Sequence, residues 1–199
     1  MKTNKRFEGA LTRSFGGLES IRVIDEETRT VELSFSSEEP ITRWGDDEIL
    51  SHKNGAVQLD RLNTTGCLLF NHNRDYVVGK IVSAAVKKKR GIATVEFDKD
   101  EASEVIFQKV KNGTLRGVSV GYRILSMDSR IVKINGRSKT IYTATLWEPT
   151  EISIVSVPAD TSVGVGRSMA AEGYRPTNIV NHKIKINENI LKLKEVSDK

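Results

Sequence analysis

The chain has 199 residues, 38% of them hydrophobic and 29% charged, with a formal net charge of +5. That is enough for one ordinary domain with tails, and no apolar run approaches the ~20 residues that a bilayer-spanning helix needs. The single cysteine, Cys67, excludes an intramolecular disulfide framework, fits a reducing compartment and reads as a buried structural thiol.

In chain order, residues 1–20 read as a flexible N-terminal arm, polar in balance and without the apolar centre of a secretory signal. Ile21 to Ile24 and Val31 to Phe35 read as paired strands, with Val31, Leu33 and Phe35 alternating with polar residues. Residues 37–65 are irregular, broken by Pro40, Gly45 and Gly55, and are long enough to hold short helices or a binding loop. Cys67 to Phe70 is a short apolar strand. Tyr76 to Val86 and Ile92 to Phe97 form a hairpin turned at Lys87-Lys88-Lys89-Arg90-Gly91. This run is the densest positive charge in the chain. It lacks interleaved aromatics for base stacking and reads as a solvated hairpin tip.

Asp100 to Lys111 is the clearest helix. Asp100 or Ser103 caps it, acids fill its first turn, Lys109 and Lys111 end it, and Val105, Ile106 and Val110 supply an apolar stripe. Asn112-Gly113 is a fitting stop. Leu115 to Leu125 is then a strand, and Ile131 to Ile134 and Thr140 to Trp147 flank the hairpin signal Asn135-Gly136. Glu151 to Val157 is a further strand, ended by Pro158. Eight or nine strands with one good helix argue for a β-rich α+β domain, a barrel or sandwich with peripheral helices. Residues 167–199, loosened by glycine, read as a separable tail.

Three histidines narrow the search for a general base. His182 falls in the tail and His52 in a polar loop. His72 directly follows a buried-looking strand that would aim it, although a strand-end histidine bonded to a carbonyl looks the same in sequence. Ser119 lies between Val118 and Val120. Alternation puts Gly117, Ser119 and Gly121 on one face, where glycines leave room beside the hydroxyl or simply allow tight packing on the helix before it. Glu151 opens an apolar strand, where a carboxylate needs partners or solvent, and Glu148 is the alternative acid. A hydroxyl, an imidazole and a carboxylate on rigid strands are what acyl transfer requires. Arg116 and the backbone near Gly117 are candidate oxyanion donors. The chain has no zinc spacing, no calcium loop and no phosphate-binding glycine loop, and no cofactor is expected.

These segments together resemble the HK97-type prohead proteases of tailed bacteriophages and prophages. The resemblance rests on Ile49-Leu50-Ser51-His52, on Leu68-Leu69-Phe70-Asn71-His72-Asn73 followed by Gly79-Lys80-Ile81, on Leu115-Arg116-Gly117-Val118-Ser119-Val120-Gly121-Tyr122, and on Trp147-Glu148-Pro149-Thr150-Glu151 continued to Asp160. It covers roughly residues 20–165, so that 21–166 would be the protease domain. It implies a serine endopeptidase with an assemblin-like β-barrel surrounded by a few helices, related in fold to herpesvirus assemblins. His72, Ser119 and Glu151 would be its catalytic residues.

The resemblance further implies work in the bacterial host cytoplasm, inside the phage procapsid, on scaffold or on the scaffolding segment of the major capsid protein. Self-cleavage and a homodimer are implied as well, and the tail from 167 would be processed or would dock on scaffold. No membrane partner is expected. Two rival readings are a catalytically inactive assembly or scaffold-binding protein on the same fold, and a small basic barrel that binds nucleic acid. The sparse aromatic and basic clustering does not favour the second.

Overall fold

The computed structural model describes residues 11–16, 21–134 and 137–157. The tail from 167 and the Asn135-Gly136 tip lie outside the described residues. Among them are ten strands and two helices. The strands are β1 (Leu11–Gly16), β2 (Ile21–Asp25), β3 (Thr30–Ser37), β4 (Ile41–Arg43), β5 (Asp46–Leu50), β6 (Cys67–Phe70), β7 (Asn73–Lys87), β8 (Arg90–Phe97), β9 (Gly117–Ile134) and β10 (Arg137–Val155). The helices are α1 (Asp60–Thr65) and α2 (Glu101–Lys111).

The strands form one sheet in the order β1-β9-β10-β6-β7-β8-β3-β2, with β5 pairing the first half of β10 and β4 pairing β5. All neighbours are antiparallel except β10 with β5 and β10 with β6. The expected β-rich class holds, and the sheet is curled into a half-barrel, bringing β1 and β9 against β3. Its concave side is filled by Val31, Leu33 and Phe35 of β3, Val95 and Phe97 of β8, Val118, Val120 and Tyr122 of β9, and Trp147, Ile152 and Ile154 of β10. Period-two alternation supplies these faces, and their burial provides the main favourable term in folding.

The helix reading holds at both ends of α2. The Asp100 carboxylate accepts the Ser103 backbone N–H at 3.0 Å, and Gly113 takes a positive φ of 70° beyond the last turn. The buried stripe is Ser103, Ile106, Phe107 and Val110, while Val105 is exposed. The spacing i, i+3, i+4, i+7 selects Phe107 instead of Val105.

The structure differs from the expectation in three places. Leu11–Gly16, inside the stretch read as a flexible arm, is a strand paired with β9 along its whole length. The irregular stretch 37–65 contains two strands, β4 and β5, besides the short helix α1 that its length allowed. The four strands expected between Leu115 and Val157 merge into one long ribbon of two, β9 and β10, with register shifts at Ala144/Leu146, Leu146/Trp147 and Pro149/Glu151. Pro149 has no N–H to give a ladder, and it is accommodated beside a bulge.

Candidate active site

His72 is positioned by a two-residue turn. Phe70 and Asn73 pair across β6 and β7, and Asn71 and His72 between them have φ of 54° and 60°. Two consecutive positive φ values define the tight turn whose twist suits a hairpin. The turn is clipped to β10: Asn71 N–H donates to the Ile154 carbonyl at 2.9 Å, and the Asn71 side-chain oxygen accepts from Ser156 N–H at 2.9 Å. The parallel pairing of Phe70 with Ile154 thus carries the imidazole over the start of β10's last segment.

On β9 and β10, Ser119 lies opposite Ser153 and Gly121 opposite Glu151. These four residues share one sheet face, the face away from Val118, Val120 and Tyr122. A Cβ on Gly121 would lie 2.4 Å from Glu151 Oε1. The room that the glycine leaves is therefore filled by the carboxylate, which needs it to reach sideways to the imidazole.

The three side chains form a continuous chain of hydrogen bonds. His72 Nδ1 is 2.6 Å from Glu151 Oε1, and His72 Nε2 is 2.7 Å from Ser119 Oγ. Next to a carboxylate, Nδ1 is the donor, which leaves Nε2 of the neutral ring as the acceptor of the Ser119 hydroxyl proton. The short contact to Glu151 is the length expected of a charge-assisted bond. Ser153, which the sequence reading did not single out, supports both partners: its hydroxyl donates to Glu151 Oε2 at 2.8 Å and accepts His72 N–H at 3.1 Å. Its spacing of two from Glu151 was the available signal, since i and i+2 share a strand face.

The alternative acid, Glu148, lies elsewhere. Its Oε2 is 2.8 Å from Arg123 Nε and 4.0 Å from Arg61, ion-pair contacts without an aligned hydrogen bond at that oxygen. Arg116 is exposed and its Nε donates to the Gly113 carbonyl at 2.5 Å, in the connection from α2 to β9. Gly117 is buried at the first position of β9, two residues before Ser119.

His52, read as a loop residue, is buried behind the sheet. Nδ1 faces the Leu50 carbonyl at 3.0 Å, Nε2 faces Ser36 Oγ at 2.7 Å, and the ring meets Trp147 edge-on. Burial pushes its pKa down from the ordinary histidine value, against the Leu50 bond and Glu38, which act upward. It is a packing histidine.

A second group of polar side chains lies on the core side of β9. Glu48 is buried and accepts the Tyr122 hydroxyl. Desolvation, with the Glu48 charge behind it, drives the Tyr122 pKa far upward. Arg13 of β1 is also fully buried, and its guanidinium donates to the Glu39 carbonyl. The Arg13 carbonyl accepts the Ser119 hydroxyl at 3.0 Å.

Residues 46–174 match the family model described as caudovirus prohead serine protease. The chain is 37% identical over 142 residues to a major capsid protein of Halomonas phage phiHAP-1, across 68% of this chain and 23% of that protein. It thus spans about a quarter of the length of that relative. The capsid assembly protease of bacteriophage T4 superposes with a TM-score of 0.49 at 11% identity, over 75% of this chain and 98% of that one. With the family match extending over well more than half of its length, the chain belongs to the caudovirus prohead serine protease family.

Proposed function

We propose that this protein is a serine endopeptidase of capsid maturation in which Ser119 is the nucleophile, His72 the general base and Glu151 the residue that orients the imidazole. The observation that carries the reading is the unbroken relay from Glu151 Oε1 through His72 to Ser119 Oγ, with both contacts under 3 Å. His72 takes the Ser119 proton as Oγ attacks a peptide carbonyl. The imidazolium so formed is stabilised by Glu151. It then protonates the leaving amine, and the neutral ring activates water to release the acyl group. The acid is Glu151 in this reading, since Glu148 is engaged by arginines away from the ring.

The substrate is a capsid or scaffold protein inside the procapsid. Membership of a prohead protease family and similarity to a protein named a major capsid protein support that choice. The test is co-expression with the phage's capsid and scaffold proteins, read by gel and mass spectrometry. Wild-type chain should cut them, and Ser119→Ala, which removes one oxygen from a buried position, should lower the rate by about 10⁴ to 10⁶. Full processing by the Ser119→Ala protein would overturn the assignment. Self-cleavage, a homodimer and a role for the tail belong to the same proposal, and intact mass and light scattering test them.

A further inference from the structure

Ser119 is fully buried, because β1 lies along β9 and covers it. The pairing is antiparallel and continuous from Leu11 opposite Tyr122 to Gly16 opposite Gly117, and it sets Ser14 opposite Ser119. An extended peptide added to a strand edge is a standard mode of peptide recognition, with main-chain bonds giving affinity and alternate side chains giving selectivity.

Two features distinguish β1 from an ordinary end strand. The first is the Arg13 carbonyl oxygen, 3.0 Å from Ser119 Oγ. The hydroxyl has one proton, which the relay directs to His72 Nε2 at 2.7 Å, so the Arg13 carbonyl, the peptide group of β1 bonded to Ser119 Oγ, competes for that proton. The carbonyl before it, that of Thr12, is held by Arg43. The second feature is the Arg13 side chain. It points to the Val120 face and is completely buried. Burying a guanidinium is costly unless charge and hydrogen bonds offset it, and an apolar residue would hold an end strand with no such penalty. The offset is a polar pocket: the Glu39 carbonyl, the buried Glu48 and the Tyr122 hydroxyl, on which both Glu48 and Arg13 act electrostatically. Glu48 Oε2 has no hydrogen bond among the described residues, and Arg43 Nε stands 3.9 Å from it.

We propose that β1 is an intramolecular substrate held in the substrate groove, that the Arg13–Ser14 bond is the one cut, and that the pocket around Glu48 selects a basic residue immediately before the scissile bond. This rests on the serine peptidase reading. In the step itself, Ser119 Oγ bonds to the Arg13 carbonyl carbon, the bond to the Ser14 nitrogen breaks, and His72 passes the Ser119 proton to that nitrogen. Water then hydrolyses the ester, leaving a carboxylate on Arg13 and a free amine on Ser14. Release of the shortened strand opens the β9 edge to other extended peptides.

The experiment uses the full chain and a peptide. Incubated alone, the 199-residue protein should yield a species beginning at Ser14 by N-terminal sequencing, and Ser119→Ala should not. Arg13→Lys should retain that cut, and Arg13→Glu should slow it by at least about 100-fold. The octapeptide spanning residues 11–18, offered in trans, should be cut after its arginine, and its Arg-to-Glu version should lose at least about 100-fold in kcat/KM. The peptide arm does not depend on how well the Arg13 variants fold. Ser119-dependent cutting of capsid or scaffold protein, with no cut at residue 13 and equal rates on the two peptides, would overturn this proposal and leave the peptidase reading standing. Absence of Ser119-dependent hydrolysis of any substrate would overturn both.

Discussion

Adding one methyl group at Gly121 tests the geometry of the proposed relay from outside its members. The Cβ of Gly121→Ala would stand 2.4 Å from Glu151 Oε1, 2.9 Å from its Cγ and 3.0 Å from its Cδ. Ordinary contact between such atoms begins near 3.4 Å, so the whole carboxylate must withdraw by roughly 1 Å. Glu151 Oε1 is 2.6 Å from His72 Nδ1, and a shift of that size lengthens the contact to about 3.6 Å, beyond a hydrogen bond. The imidazole then loses the group that fixes its tautomer and stabilises its cation. A misplacement of about 1 Å in a catalytic group commonly costs about 100-fold in rate, with loss of the acid altogether setting the limit near 10⁴. We expect kcat of Gly121→Ala to fall by about 100-fold with KM changed less than about threefold, on a fluorogenic peptide at neutral pH. The double-mutant cycle decides the cause: combined with Glu151→Gln, the alanine should cost little more than Glu151→Gln alone. Wild-type activity in Gly121→Ala, or effects that multiply in the double variant, would refute the reasoning.

Glu151→Gln should lower kcat by about 10² to 10⁴, whereas Glu148→Gln, which disturbs only the pairs with Arg123 and Arg61, should stay within about threefold. Steady-state kinetics on one peptide compares them, and a larger effect at Glu148 would reverse the choice of acid. Ser153→Ala removes one hydrogen bond to Glu151 and the acceptor of His72 N–H, so it should lose about 1 kcal/mol in denaturant unfolding and about tenfold in kcat. Unchanged kinetics would show that Ser153 only packs. The buried His52 makes stability fall on the acid side. Its folded-state pKa lies below the unfolded value near 6.5, so the unfolded chain takes up a proton that the folded one resists. Stability is thus present above about pH 6.5 and drops by up to about 1.4 kcal/mol per pH unit as pH falls toward the depressed value. Urea midpoints from pH 7.5 to 5 should decline less in His52→Gln than in wild type, and parallel declines would exclude His52 as the cause.

What could be read along the chain was local. Alternation at Val31, Leu33 and Phe35, the Asp100 cap, the Gly113 stop and the turn at Lys88 and Lys89 depend on neighbours a few residues away, and the structure contains each of them. The stripe on α2 was misjudged by one position because Val105 and Ile106 are adjacent, and only packing on the sheet shows which faces inward. His72, Ser119 and Glu151 were marked by residue scarcity, face alternation and family resemblance, yet nothing local joins them.

Their meeting follows from the strand order. The parallel pairing of β6 with β10 sets residue 72 beside 153, and the antiparallel pairing of β10 with β9 sets 153 opposite 119. The same non-local order separates Glu148 from Glu151 and buries His52. It also turns residues 11–16, polar enough to read as an arm, into a strand on Ser119. Sequence alone determined the strand-rich class and the reactive residue types, because alternation and turn chemistry act over a few bonds. Tertiary structure alone decided which acid faces the imidazole and what lies on the nucleophile, because pairing between distant strands is selected by the burial of the whole sheet and leaves no mark at any single position.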